Sequence, residues 1–141
     1  MQAQAQIEKG TLLGEGKGKF TSYVIKEVTP LGYKFEYNSV GQFVGIFNAS
    51  FSHTNNVYWK NDFTTMEWES KGFMSTTDGD IILLFSRGKG SATGPGTAKA
   101  EGEGVFVTQS PKLSWLNNKK CRIEVTGSRL AGEEYGKFFA L

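Results

Sequence analysis

Histidine and cysteine each occur once in this chain, as His53 and Cys121, and that scarcity excludes whole classes of chemistry. A zinc or other transition-metal centre draws on several such ligands, so no metal site and no cofactor is expected. A lone cysteine cannot close an internal disulfide, and secreted domains of this size usually carry several bridges. A reducing, cytoplasmic compartment is therefore the expectation. No segment approaches the ~20 apolar residues of a membrane helix, and Met1 to Lys9 lacks the apolar stretch of a signal peptide. Membrane association and signal-led export are not expected. Charge of one sign is lacking too, since 16 Lys and Arg stand against 14 Asp and Glu, a formal +2. Such a balance sets up no field to draw in a polyanion, so nucleic acid is not an expected partner.

What the chain does have is apolar and aromatic side chains, 38% and 13% of 141 residues, together with 18 glycines. That is enough to build a core without staples, and the length suits one domain over residues 1–141, with 1–10 a flexible or edge segment. The glycines sit among β-branched and aromatic residues, which points to bent strands and tight turns.

Period-2 alternation dominates. Tyr33, Phe35 and Tyr37 share one face while Lys34, Glu36 and Asn38 take the other, the pattern of a half-buried strand. Pro30-Leu31 before it reads as a hairpin turn. Phe43, Gly45, Phe47, Ala49, Phe51 and His53 continue on a common face, and Asn55-Asn56 reads as a turn able to take positive φ. The apolar parity of residues 57–69 changes midway, which a bulge near Asn61-Asp62 would explain. Asp78-Gly79 is the clearest hairpin signal, and Ile81 to Phe85 after it is apolar on both faces. Gly94-Pro95-Gly96 marks another turn, inside a stretch whose glycines at i and i+2 suit barrel corners. Residues 111–117, with Ser110 at the N-cap and Pro111 first, give one short helical turn. Cys121, Ile123 and Val125 alternate against Arg122, Glu124 and Thr126 in a closing strand, and another follows Gly132. The sum is an all-β, antiparallel barrel of eight or nine strands, closure being the remedy for otherwise exposed edges.

Reactive motifs are absent. There is no Gly-x-Ser-x-Gly elbow, and Gly14 to Gly18 leads into a strand rather than into a phosphate-binding helix. Asp78-Gly79-Asp80 lacks the further ligands of a calcium loop. Cys121 reads as a buried, inert thiol. The carboxylate pairs Glu67 with Glu69 and Glu101 with Glu103 read as outward-facing.

Three segments carry a family resemblance: Gly72-Phe73-Met74-Ser75-Thr76-Thr77-Asp78-Gly79-Asp80, Gly102-Glu103-Gly104-Val105-Phe106, and Ser110-Pro111-Lys112-Leu113-Ser114-Trp115-Leu116-Asn117. Through them the chain resembles the small uncharacterised prokaryotic proteins of the allene oxide cyclase-like barrel group, relatives of the lipocalin-type barrels. The resemblance implies a barrel, a possible homo-oligomer, and lipophilic ligand binding or cyclase-type isomerisation. It carries over no catalytic residue.

The aromatic alternation itself suggests a lumen for a small, largely apolar molecule. Its expected walls are Tyr33, Phe35, Tyr37, Phe43, Phe47 and Phe51. Trp59 and Phe85 extend them, with His53 as a polar group at the mouth and Arg87 as a buried cation. Two alternatives stand beside this reading. One is a cofactor-independent isomerase or cyclase in the same lumen. The other is an assembly protein with a filled barrel, whose Ile82, Leu84 and neighbouring aromatics face another subunit.

Overall fold

The computed structural model describes residues 7–141, so residues 1–6 of the expected N-terminal segment lie outside the described residues. Ile7 packs on the core, and the Gly10 amide donates to the Ala140 carbonyl at 2.8 Å.

Eight antiparallel strands follow one another around a closed barrel: β1 (Leu12–Thr29), β2 (Gly32–Gly45), β3 (Asn48–Lys60), β4 (Thr65–Thr76), β5 (Ile81–Gly94), β6 (Thr97–Thr108), β7 (Lys120–Ser128) and β8 (Glu133–Ala140). Closure comes from β1 pairing with β8, from Leu12↔Phe139 to Lys19↔Glu133. The expected turns at Pro30-Leu31, Asp78-Gly79 and Pro95-Gly96 are present. One short 3-10 helix, Pro111–Leu116, stands between β6 and β7, with Ser110 before it making no capping side-chain bond. No helix among the described residues is long and apolar enough to cross a membrane.

Three expectations about the chain's path are corrected. Asn55-Asn56 is not a turn but lies inside β3, where Asn55↔Ser70 and Asn56↔Glu69 are paired. The reversal comes instead at residues 61–64, where a bulge near Asn61-Asp62 was expected. There the Asp62 carboxylate accepts the Thr64 and Thr65 amides, both at 2.9 Å, and Phe63 takes a left-handed φ of 58°. Ile46-Phe47 is also a turn, splitting the run from Phe43 to His53 into two strands.

The backbones of β5 and β6 approach each other closely at one point. Gly88 and Gly102 pair there, and a Cβ on Gly88 would lie 1.9 Å from the Glu101 carbonyl oxygen. Only glycine allows so close an approach of two backbones.

The interior has two apolar ends. At one, Leu13, Phe43, Met74, Ile82, Phe106 and Cys121 pack with Leu113 and Leu116 of the 3-10 helix, which closes that end. At the other, Phe35, Val57, Met66 and Trp68 pack with Tyr33, Trp59 and the small Ala98 and Ala100. The outer face carries a charge ladder across four strands, Glu69↔Arg87↔Glu103↔Arg122, with opposite signs in register. Glu67, Glu69, Glu101 and Glu103 all face outward, as expected from the sequence.

Candidate functional site

Between the two ends the lumen opens into a cavity of about 290 Å³. Its upper walls are aromatic because the inward parity of β2 and β3 supplies Tyr33, Phe35 and Tyr37 opposite Val57 and Trp59. Two bulges in β1, between Phe20 and Ser22 and between Ile25 and Glu27, shift its facing. As a result Phe20 stacks on Tyr37 at 4.1 Å and Tyr23 on Phe35 at 4.7 Å between ring centroids. Beyond Lys19, β1 has no pairing with β8, so its last ten residues are held by β2 alone and form an edge beside the mouth.

Below the aromatic chamber runs a belt of polar side chains. His53 lies mid-strand in β3, not at the mouth, and its side chain is about four-fifths buried. Its Nε2 contacts Glu134 Oε2, its Nδ1 lies 2.9 Å from Ser70 Oγ, and the Asn55 amide nitrogen is 3.0 Å from the same Nδ1. An amide nitrogen can only donate, so Nδ1 accepts and the imidazole proton sits on Nε2, donated to the carboxylate. The other carboxylate oxygen, Oε1, accepts the Tyr37 hydroxyl at 2.9 Å. Burial, and then the adjacent Glu134 charge and this hydrogen bond, push the Tyr37 phenol well above its usual value, so it stays a donor. A carboxylate with 9% side-chain exposure is tolerable only with such partners. Gly72 makes the room, since a Cβ there would lie 2.4 Å from His53 Cβ.

Two polar atoms in this region have no partner. Ser39 Oγ and Trp68 Nε1 are buried without a hydrogen bond, and Trp68 lines the cavity.

Of the residues singled out in the sequence, Tyr33, Phe35, Tyr37, Phe43, Phe51, His53 and Trp59 line the cavity together. Phe47 does not, because it lies in the β2–β3 turn and stacks on Phe43 at the closed end. Phe85 and Arg87 are on the outer surface, since their strand presents Ile82, Leu84 and Ser86 inward. The same parity turns Ile82 and Leu84 away from any neighbouring subunit, leaving Phe73, Ile81, Leu83 and Phe85 as the exposed apolar row.

Glu134, Ser70, Asn55 and Trp68 did not stand out in the sequence. Glu134 stands at the parity of Gly136 and Phe138, but Tyr135 and Phe139 make the opposite face of β8 look equally apolar. Among the described residues no three His, Cys, Asp or Glu side chains converge as metal ligands.

No family model matches this chain, and no curated protein does. Its shape has clear counterparts. A protein of unknown function from Clostridium acetobutylicum superposes with a TM-score of 0.78 at 17% identity, over 95% of this chain and 99% of that one. A β-barrel-like protein from Acinetobacter baumannii gives 0.76 at 15% identity over 94% of each. An enzyme from Penicillium herquei gives 0.62 at 18%, over 95% of this chain and 97% of its own. At these identities the likeness is one of fold: a small closed β-barrel.

Proposed function

We propose that the protein binds a small, planar, largely apolar molecule carrying a polar group, held in the aromatic chamber of the barrel. The observation that carries this is the cavity of about 290 Å³, walled by aromatic rings and floored by a buried polar belt. Aromatic walls supply apolar contact area, and a few placed polar groups fix orientation. The allene oxide cyclase-like resemblance belongs with this reading, and one chain of similar fold, from Penicillium herquei, is an enzyme. The open lumen above Ile82 and Leu84 speaks against a filled barrel, whereas the outward Phe73 and Phe85 are the neighbouring aromatics that an assembly face would use.

The test is a titration with 2-naphthol followed by tryptophan fluorescence, since Trp59 and Trp68 both line the chamber. Wild type should show a saturable change. Ala100→Phe, which fills the chamber from β6, should abolish it at a stability cost no larger than overpacking brings, about 1–3 kcal/mol. Equal uptake by both proteins would place the probe elsewhere and refute the reading.

A further inference from the structure

We propose that the chamber transfers protons as well as binding: His53 is a general base acting on a largely planar β,γ-unsaturated ketone with an enolisable α C–H, and the product is its conjugated α,β-isomer. The inference rests on the binding reading above.

The basic atom is Nδ1. Its lone pair accepts from the Asn55 amide and exchanges that hydrogen bond for the substrate proton, and Asn55 and Ser70 both line the cavity. The opposite nitrogen is already committed to Glu134, whose second oxygen is held by Tyr37. A proton arriving at Nδ1 therefore creates an imidazolium directly against a buried carboxylate, the arrangement that lets a catalytic histidine accept charge. Glu134 and Tyr37 are positioning residues in this scheme. Nothing in the barrel's architecture demands such a group here, because buried ionisable pairs stabilise a fold no better than apolar packing of the same volume.

Trp68 supplies an independent observation. Its Nε1–H is buried without an acceptor, and it lies two residues before Ser70 on the inward face of β4. The atom lies behind the chamber wall, and a turn of the indole toward the lumen would give it a ligand oxygen as the partner it lacks. A donor on a carbonyl oxygen, with a base beside the neighbouring carbon, is the combination that enolisation requires. The α C–H proton passes to Nδ1 and its electron pair moves into the enolate, whose oxygen accepts the Trp68 N–H. The imidazolium then returns the proton at the γ carbon, and the double bond shifts. No oxidant, metal or second substrate enters the balance. Stacked walls such as Phe20 on Tyr37 favour a largely planar guest.

The probe is 5-nitrobenzisoxazole, a planar substrate in which loss of one C–H proton to a base breaks the N–O bond and releases a coloured phenolate. Benzotriazole, a planar N–H acid of nearly the same shape, measures binding without reaction. Wild type should turn the probe over. His53→Gln should lose at least about 100-fold in kcat/KM, the usual share of a general base, with the loss falling mainly on kcat. Trp68→Phe should lower kcat more than it raises KM. Because His53 is the only histidine, its ring signals in wild type need no assignment, and saturating benzotriazole should move them to the imidazolium position even if a variant fails to fold. Benzotriazole binding with neither turnover above buffer nor an imidazolium signal would overturn the base and leave the binding reading intact. Absence of benzotriazole binding would overturn both.

Discussion

Cys121 and Glu134 both point inward from neighbouring strands, and the barrel treats them in opposite ways. Cys121 is fully buried in the closed end, where desolvation pushes its thiol from 9.0 up to about 12. The folded protein holds a proton that the unfolded chain gives up earlier. The contribution is therefore intact below pH 9 and is lost as pH climbs toward 12. Urea unfolding across that window should show a flatter pH dependence for Cys121→Ala than for wild type. Native protein at neutral pH should also resist thiol reagents. This residue was legible in the sequence because Ile123 and Val125 share its parity. Glu134 was not, because a carboxylate in an alternating strand reads as solvent-facing and only its partners on β2 and β3 explain its burial. The facing of β2 was equally legible. Phe35→Ala should cost about 3–5 kcal/mol while Lys34→Ala should cost under about 0.5 in chemical denaturation, Phe35 being 8% exposed.

Strands carry their own grammar, and β3 shows where it misleads. Two adjacent asparagines have turn chemistry, yet Asn55 is held inside the barrel by its bond to His53, and continuous pairing with β2 on one side and β4 on the other outweighs a local preference. The true reversal uses Asp62 as an amide acceptor and forces Phe63 into a left-handed conformation, which no rule of residue preference anticipates. Those two amide bonds hold the Asp62 carboxylate down at about 2. Glycines were better signals, although their spacing alone does not say which are indispensable. A Cβ on Gly102 would meet the Arg87 carbonyl oxygen at 2.1 Å, whereas one on Gly127 would come no nearer than 3.9 Å, to the Glu133 carbonyl oxygen. Thermal melts should accordingly show Gly102→Ala destabilised by about 1–3 kcal/mol and Gly127→Ala close to wild type.

At the scale of the molecule, closure joins β1 to β8, pairing Gly14 with Phe138, so the barrel is complete only when the two ends of the sequence meet. That edge-free architecture followed from strand count and short connections, and the lumen followed from aromatic parity. The polar belt across it did not, because it gathers one or two residues from each of β2, β3, β4 and β8, and no local pattern records that assembly. The central claim is that this lumen is a binding chamber, and calorimetric titration of 2-naphthol at several temperatures tests it most directly. Enclosure of a planar apolar guest should give one site per chain with a clearly negative heat-capacity change, lost in Ala100→Phe. Binding with no heat-capacity change, or binding unaffected by that substitution, would contradict it.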